Sequence, residues 1–138
     1  MAVQHRPDRV LGAPHDEFWK YCAAGELRMQ RCASCSHISW PPVEACENCG
    51  GSGLSWEPMS GRGRVISWCQ FVQSYYKELA TPYDCILVKL DEGPLFMSNP
   101  SGFDYESTES EMPVRVTFVD AEDSAGAYKL PVFVSASE

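Results

Sequence analysis

Basic residues are scarce in this chain, and their scarcity limits the partners that it can bind. Lys and Arg total 11 against 19 Asp and Glu, so the net charge of the 138-residue protein is −8 at neutral pH. A nucleic-acid-binding surface needs a basic stripe to neutralise phosphates, and anionic membranes attract basic segments for the same reason. The sequence also lacks a run of about 18 apolar residues, which a transmembrane helix requires. We therefore expect no nucleic-acid partner and no membrane partner.

The start of the sequence lacks the pattern of a secretory signal. Residues 1–14 contain Arg6, Asp8 and Arg9, with no apolar stretch ahead of a cleavage-like site. We expect a cytoplasmic protein whose residues 1–13 are loosely ordered.

Residues suited to acid–base catalysis are few. The three histidines, His5, His15 and His37, all lie in the first third of the sequence, and histidine is the commonest general base. The sequence has no nucleophile-elbow motif, and Gly61-Arg62-Gly63 does not continue into a nucleotide-binding fingerprint. We therefore expect no catalytic residues in this chain and no enzymatic activity from it alone.

Cysteines are abundant by contrast, and four of the seven form two closely spaced pairs. Each Cys-x-x-Cys pair makes a tight turn that directs both sulfurs to one point, and two such turns supply four thiolates to a tetrahedral zinc ion. Because four protein ligands leave no open position, the metal is structural. The predicted ligands are Cys32, Cys35, Cys46 and Cys49.

Two other uses of these cysteines stay open. A redox-active Cys-x-x-Cys needs a strand before it and a helix after it, whereas Pro41-Pro42 and the glycine-rich residues 50–53 indicate loops. Iron is not excluded, because it also accepts tetrahedral sulfur and Cys46-Glu47-Asn48-Cys49-Gly50 is similar to a rubredoxin turn. We interpret His37 as a loop residue or a hydrogen-bond partner beside the metal.

The remaining cysteines, Cys22, Cys69 and Cys85, lie in apolar stretches. A free cysteine in such a stretch commonly behaves as a small buried apolar side chain. We expect all three to be buried and none to be a nucleophile.

The spacing of apolar residues predicts a mainly β protein with one N-terminal helix. Pro14 and the acidic residues Asp16 and Glu17 favour a helix over residues 15–24, and Gly25 favours its end. Runs of β-branched and aromatic residues, separated by turn residues, predict the strands. They lie at residues 27–31, 64–72, 84–90, 95–98, 114–119 and 128–134.

Five of these strands follow one another in the C-terminal half, which is typical of a small antiparallel barrel of the OB-fold type. We predict three units in the chain. An N-terminal tail and helix occupy residues 1–26, a rubredoxin-like zinc ribbon occupies residues 27–57, and an OB-fold barrel occupies residues 58–138.

Short phrases along residues 14–134 resemble the zinc-ribbon and OB-fold family of acyl-CoA metabolism that was first catalogued as domain of unknown function thirty-five. The pair Tyr75-Tyr76 and residues Asp84 and Cys85 depart from the family pattern, which bears on substrate choice more than on fold. The matching phrases are Phe18-Trp19, Gly25-Glu26-Leu27, Gln30-Arg31-Cys32-x-x-Cys35, Trp40-Pro41-Pro42, Cys46-x-x-Cys49-Gly50, Ser60-Gly61-Arg62-Gly63, Pro82-Tyr83 and Leu90-Asp91-Glu92-Gly93.

The resemblance implies an accessory role in an enzyme complex. Family members look like partners of thiolase-fold enzymes that perform acyl transfer, thiolytic cleavage or retro-aldol cleavage of acyl-CoA thioesters. Some pair with hydratases, including those that shorten steroid side chains. The resemblance implies that the catalytic residues belong to the larger partner, while the small subunit completes a shared acyl-CoA channel.

Seven residues are expected to contact the partner or CoA. Aromatic residues often anchor interfaces, although Phe18 and Trp19 suit a core equally well. The segment 73–82 is expected to line the channel. Arginines bind phosphates as bidentate donors, but solvated strand ends are the alternative for Arg62 and Arg64. The seven candidates are Phe18, Trp19, Arg62, Arg64, Tyr75, Tyr76 and Lys77.

Single-stranded nucleic-acid binding is the alternative function. OB-folds stack bases on exposed aromatic side chains, and Trp68, Phe71 and Tyr75 are suitable residues. The net charge of −8 predicts weak binding at physiological salt, so this function ranks second. An independent small enzyme ranks below both.

Overall fold

The computed structural model describes residues 3–136, in which one helix and nine strands are found. The helix has nine residues, and no helix in this range is long and apolar enough to cross a membrane. The fold is mainly β, as predicted. In chain order the elements are β1 (Gln4–His5), α1 (His15–Ala23), β2 (Arg28–Cys32), β3 (Ile38–Ser39), β4 (Leu54–Pro58), β5 (Arg62–Phe71), β6 (Tyr83–Leu90), β7 (Leu95–Ser98), β8 (Pro113–Asp123) and β9 (Gly126–Ser135).

A six-stranded sheet forms the barrel. Its strands are ordered β1-β8-β5-β6-β7, and β9 also pairs with β8. All pairs are antiparallel except β1 with β8. Residues after β7 then meet β9: Phe133 N donates to Asn99 O at 3.2 Å, and Ser101 N donates to Phe133 O at 2.8 Å. This parallel bridge closes β5–β9 into the predicted OB-fold barrel.

A second sheet, ordered β3-β2-β4 and wholly antiparallel, forms the ribbon. The buried side chain of Gln30 on β2 extends this sheet toward the linker between the two cysteine pairs. Gln30 Nε2 donates to Val43 O at 2.9 Å, and Gln30 Oε1 accepts from Val43 N at 2.8 Å. One amide side chain thus satisfies both backbone groups of Val43, as a neighbouring strand would, and fixes the linker against the ribbon.

The helix, the ribbon and the barrel share one core. Phe18 of α1, Met29 of β2 and Phe133 of β9 belong to a single cluster of buried side chains. Phe18 is 3% exposed, and its ring centroid lies 4.6 Å from that of Trp40 in the ribbon. The structure therefore assigns Phe18 to the core. The bounds 1–26, 27–57 and 58–138 stay a sequence prediction.

The N-terminal segment is ordered, so the expectation of a loose stretch at residues 1–13 is wrong for residues 4–9. β1 runs parallel to β8, with Gln4 opposite Ala121. Arg6 N donates to Glu122 O at 3.0 Å, and Arg9 N donates to Asp123 Oδ2 at 3.0 Å. Residues 1 and 2 lie outside the described residues.

The expectation that Cys22, Cys69 and Cys85 are all buried holds only for Cys22. Cys69 is exposed and Cys85 is partly exposed. Cys85 lies on the face of β6 opposite to the buried Ile86, Val88 and Leu90, and a register shift between Val65 and Ser67 explains the exposure of Cys69. Strand residues alternate between faces, so one extra residue in β5 moves all later side chains to the opposite face.

Candidate metal centre and neighbouring groove

Two similar turns carry the four paired cysteines. In the first turn Ser36 N donates to Cys32 O at 2.8 Å, and in the second Gly50 N donates to Cys46 O at 2.9 Å. Both donors have left-handed backbone, with φ of 67° at Ser36 and 80° at Gly50. This conformation reverses the chain directly after each cysteine pair, so both sulfurs of each pair face the other turn.

The four sulfurs form one cluster. The Sγ atoms of Cys32, Cys35, Cys46 and Cys49 all lie within 4.8 Å of one another. Two of the sulfur pairs, Cys32 with Cys49 and Cys35 with Cys46, are 3.6 Å apart. A zinc ion about 2.3 Å from each sulfur of a tetrahedron holds the sulfurs about 3.8 Å apart. The donor set therefore fits a tetrahedral metal ion.

Hydrogen-bond donors of the second turn point at the sulfurs. Asn48 N donates to Cys46 Sγ at 3.4 Å, and the side-chain Nδ2 of Asn48 donates to Cys35 Sγ at 3.5 Å. Gly51 N donates to Cys49 Sγ at 3.4 Å. Such donors favour the thiolate over the thiol, and the thiolate is the form that binds metal.

The pKa values of the cluster show why a cation suits it. The Asn48 amide lowers the pKa of Cys35 to about 6, and the backbone N–H of Cys35 lowers the pKa of Cys32. The Gly51 N–H also lowers the pKa of Cys49, but the neighbouring Cys32 and Cys35 sulfurs outweigh it and raise that pKa to about 12. Thiolates this close repel one another, so a shared cation is what stabilises four of them together.

His37 connects the two turns. Its Nε2 lies 2.8 Å from Glu47 Oε2, inside the second cysteine pair, and its backbone O accepts from Cys32 N at 2.9 Å. His37 thus lies beside the cluster, with its ring turned to a carboxylate.

Beside the ribbon, two adjoining depressions of about 360 and 550 Å³ form what we call the aromatic groove. Aromatic rings make up much of its wall, and the polar atoms come mainly from arginine, serine and asparagine. Residues common to both depressions are Arg6, Trp19, Met97, Ser98, Asn99 and Leu130.

Four of the seven candidate contact residues meet in this groove. Phe18 and Trp19 line the smaller depression, and Tyr75 and Tyr76 line the larger one together with Trp19. Tyr75 is 80% exposed and Tyr76 is 52% exposed, so both rings remain available to a ligand or partner.

The other three candidates do not line the groove. Lys77 is exposed in the irregular segment 72–82, which follows the end of β5. Arg62 and Arg64 lie at the start of β5, roughly 23 to 30 Å along the strand from Phe71 at its end. Arg64 Nη1 lies 3.7 Å from Glu111 Oε1. The structure thus places these arginines at the opposite end of β5 from Tyr75 and Tyr76.

Two arginines that the sequence did not single out supply positive charge to the groove. Arg6 Nη2 donates to Asn99 Oδ1 at 3.1 Å, and the Arg9 guanidinium lies 4.0 Å from the ring centroid of Tyr128. The pairing of β1 with β8 and the Arg9–Asp123 ion pair bring Arg6 and Arg9 here. A strand of two residues leaves no periodic signal in the sequence.

Two tyrosines of the groove, Tyr83 and Tyr128, are neutral near pH 7. Burial raises the pKa of Tyr128 and of Tyr83 above the ordinary value of 10.0. Arg9 is paired with Asp123, so Arg6 carries the groove's main positive charge. The groove therefore suits an apolar ligand or segment that bears an acidic or carbonyl group.

Comparison with known proteins gives two adjoining family matches that together cover residues 19–119. Residues 19–55 match the model described as the ChsH2 rubredoxin-like zinc ribbon domain. Residues 56–119 match the ChsH2 C-terminal OB-fold domain.

Two curated relatives are longer proteins. A probable enoyl-CoA hydratase alpha subunit of Thermomonospora curvata is 31% identical over 93% of this chain and 39% of its own length. A 3-oxo-4,17-pregnadiene-20-carboxyl-CoA hydratase alpha subunit of Mycobacterium tuberculosis is 33% identical over 77% of this chain and 34% of its own length. The chain thus spans a little over a third of each relative.

A solved structure matches most of this chain. A chain of the Ltp2-ChsH2(DUF35) aldolase is 27% identical and superposes with a TM-score of 0.82, covering 94% of this chain and 100% of that chain. Fold and cysteine cluster define this protein as a zinc-ribbon protein with an OB-fold barrel. It belongs to the ChsH2/DUF35 family.

Proposed function

We propose that this chain is a non-catalytic accessory subunit that binds and supports a thiolase-fold enzyme acting on acyl-CoA thioesters. The observation that carries the proposal is the match to the full length of a chain from the Ltp2-ChsH2(DUF35) aldolase. The hydratase relatives support acyl-CoA chemistry, and the name of the mycobacterial relative supports a steroid side chain as the acyl group.

The four-cysteine cluster supports a structural zinc ion in this subunit. Cys32, Cys35, Cys46 and Cys49 hold the ion, and its charge stabilises their thiolates, with no position left open for a substrate. Metal binding of this kind contributes on the order of 10 kcal/mol to folding. Because ribbon residues such as Met29 lie in the common core, the ion also stabilises the surface next to the groove.

The aromatic groove and its rim are the proposed contact with the partner and its acyl-CoA. The rim exposes apolar side chains at Tyr75 and Met97, which are 80% and 69% exposed. Neighbouring apolar side chains of this size mark binding surfaces in soluble proteins. Arg6 gives the groove a donor for a carbonyl or carboxylate of the acyl group.

The other candidate contact residues have different proposed roles in binding the partner and acyl-CoA. Lys77 extends the rim, and Trp19 forms the wall where the two depressions join. Arg62 and Arg64 lie too far along β5 to touch an acyl group bound between Tyr75 and Trp19. We propose that these two arginines contact phosphates of CoA, whose extended chain leads away from the acyl group.

Co-purification tests the proposal directly. The chain is isolated from its own cells with a small affinity tag, and the retained proteins are identified by mass spectrometry. A thiolase-fold protein in stoichiometric amount supports the accessory role, and the reconstituted pair should cleave or transfer an acyl-CoA that neither chain converts alone. Steady turnover by the isolated chain contradicts the proposal.

A matched pair of variants locates the contact. The double change Tyr75→Ala and Tyr76→Ala removes two exposed rings from the rim and should weaken partner binding or raise KM for acyl-CoA at least tenfold. The control Glu109→Ala removes an exposed side chain from the turn beside Val65, about 20 Å along β5 from Phe71. Equal effects of both variants would exclude the groove as the contact.

A nucleic-acid titration distinguishes the alternative function. The pure chain is titrated with a single-stranded oligonucleotide at low and physiological salt. The negative net charge predicts no binding at physiological salt, and tight, steeply salt-dependent binding would favour the alternative instead.

A further inference from the structure

Cys69 and Cys85 face each other across two strands of the barrel. They are direct partners in the antiparallel pairing of β5 and β6. Directly opposite residues of an antiparallel pair have Cα atoms about 4.5 or 5.5 Å apart, and both distances lie within the range that a disulfide spans, about 4.4–6.8 Å. The backbone therefore already holds the two residues in a geometry that a disulfide accepts.

Both side chains point to the same face of the sheet. Opposite residues always share a face, and the next pair on that face, Phe71 and Tyr83, stacks its rings at a centroid distance of 4.9 Å and an interplanar angle of 4°. Contact between these neighbours shows that side chains on this face meet across the strands. The Cys69 and Cys85 thiols occupy the adjacent position.

We propose that Cys69 and Cys85 form a redox-responsive dithiol that closes to a cross-strand disulfide by exchange with a small-molecule disulfide. The chemistry does not depend on the proposed accessory role. Neither cysteine belongs to the metal cluster, and Cys22 is buried in the core, so this pair is a separate site.

The two thiols differ in the way that a two-step exchange requires. Cys69 is exposed and is the thiol that a reagent reaches first. Cys85 is partly exposed in the wall of the aromatic groove, where its burial and the neighbouring Cys69 raise its pKa. Asn99 Nδ2, at 3.8 Å from Cys85 Sγ, is a donor for the Cys85 thiolate when it forms.

The reaction balances as two exchanges. The Cys69 thiolate attacks one sulfur of the reagent, breaks its S–S bond and releases one thiolate while a mixed disulfide forms. The Cys85 thiolate then attacks the Cys69 sulfur, forms the Cys69–Cys85 bond and releases the second reagent thiolate. The two protein thiols lose their protons to the released thiolates, and the reagent gains the two electrons that the protein loses.

A disulfide between Cys69 and Cys85 would restrain the segment that connects β5 and β6. The bond would enclose residues 70–84, which include the exposed segment 72–82 with Tyr75 and Tyr76. A cross-link at the base of a segment restricts the separation of the strands that carry it. Oxidation would therefore restrict the motion of the segment that lines the larger depression of the aromatic groove, without changing the strand register.

The test uses the intact metal-loaded chain and oxidised glutathione as the reagent. After free thiols are alkylated, trypsin releases residues 65–77 and 78–89, which carry Cys69 and Cys85 as their single cysteines. The expected result is a disulfide-linked pair of these peptides in most of the protein, with the metal retained. Reduction with dithiothreitol should return both peptides as free thiols.

Single variants separate the two steps. Cys85→Ser should stop the reaction at glutathionylated Cys69, and Cys69→Ser should slow all modification of Cys85 at least tenfold. Both substitutions are at exposed or partly exposed positions, so we expect the protein to fold normally. Wild-type protein that accumulates glutathionylated Cys69 without the cross-linked peptides, or that remains unmodified, would overturn the proposal.

Discussion

Arg9 and Asp123 form the tightest connection between the N-terminal segment and the barrel. Arg9 Nε lies 2.8 Å from Asp123 Oδ2, and the carboxylate side chain is fully buried. Arg9 N and Nη2 also donate to this carboxylate, at 3.0 and 3.3 Å, and Ala125 N donates to it at 3.0 Å. Every oxygen of the buried carboxylate is therefore satisfied, as a buried charge requires.

This ion pair predicts a pH-dependent contribution to stability. The Arg9 side chain holds the pKa of Asp123 at about 2, below the ordinary 3.8. A carboxyl group whose pKa is depressed on folding contributes stability above its unfolded pKa, and that contribution is lost as the pH falls toward the folded pKa. Asp123→Asn should therefore lower the free energy of unfolding by about 2 kcal/mol at pH 7.

Urea unfolding at several pH values checks this prediction. The difference between wild type and Asp123→Asn should shrink as the pH falls from about 4 toward about 2, because the wild-type carboxylate becomes protonated in that window. Asp120→Asn is the control, since Asp120 pairs with Lys129 at the exposed surface and exposed pairs contribute little. A difference that is equal at pH 7 and pH 3 would refute the assignment.

The sequence predicted the elements whose signals are local. The cysteine spacing encodes two turns that each close within a few residues, and α1 has its acidic start and glycine end within one short stretch. The barrel strands contain runs of β-branched and aromatic residues, because one face of each strand packs against the core. For these elements, residues close together in the sequence are sufficient to predict the structure.

The features that were missed depend on distant partners. β1 has two residues and pairs with a strand more than a hundred positions later, so no local pattern marks it. The exposure of Cys69 depends on the bulge after Val65, and a single extra residue in a strand leaves no signature in composition. Arg6 and Arg9 enter the groove because β1 pairs with β8 and Arg9 pairs with Asp123, and both partners lie more than a hundred positions later in the sequence.

Loss of the cysteine cluster should unfold the ribbon. The double change Cys46→Ser and Cys49→Ser removes two of the four sulfurs that lie within 4.8 Å of one another, and a metal bound by two thiolates is held weakly. We expect loss of bound metal and of soluble folded protein, since β2 contributes buried residues to the common core.

Metal analysis and thermal melting check this outcome. Wild type should contain one metal ion per chain, and the colourless spectrum of zinc distinguishes it from iron bound by four thiolates, which absorbs visible light. Cys69→Ser is the matched control, because it removes an exposed sulfur outside the cluster. Unchanged metal content and melting in the double variant would contradict the site.

Phe18 should be important for stability rather than for partner binding alone. Its ring contacts Trp19, Trp40 and Phe96, with centroids 5.0, 4.6 and 6.4 Å away. Phe18→Ala leaves a cavity where helix, ribbon and barrel meet and should lower the free energy of unfolding by about 3–5 kcal/mol.

Chemical denaturation of the isolated chain tests the role of Phe18. Val72→Ala, at a 73% exposed position, should change the unfolding free energy by less than about 0.5 kcal/mol. If Phe18→Ala unfolds like wild type and loses only partner binding, Phe18 is an interface residue and not a core residue.

At Gly63, β5 packs against β6 too closely to leave room for a side chain. A Cβ atom at Gly63 would lie 2.5 Å from Lys89 O and 2.7 Å from Val88 Cγ1, and the backbone oxygen belongs to a paired strand that cannot move freely. Gly63→Ala should therefore force the strands apart and destabilise the protein by about 2–3 kcal/mol. Gly53→Ala is the matched control, because its Cβ would meet only Ala33 Cβ, at 3.6 Å. Thermal melting of both variants separates the close approach from the general effect of adding a methyl group, and equal melting temperatures would show that β5 and β6 can separate without cost.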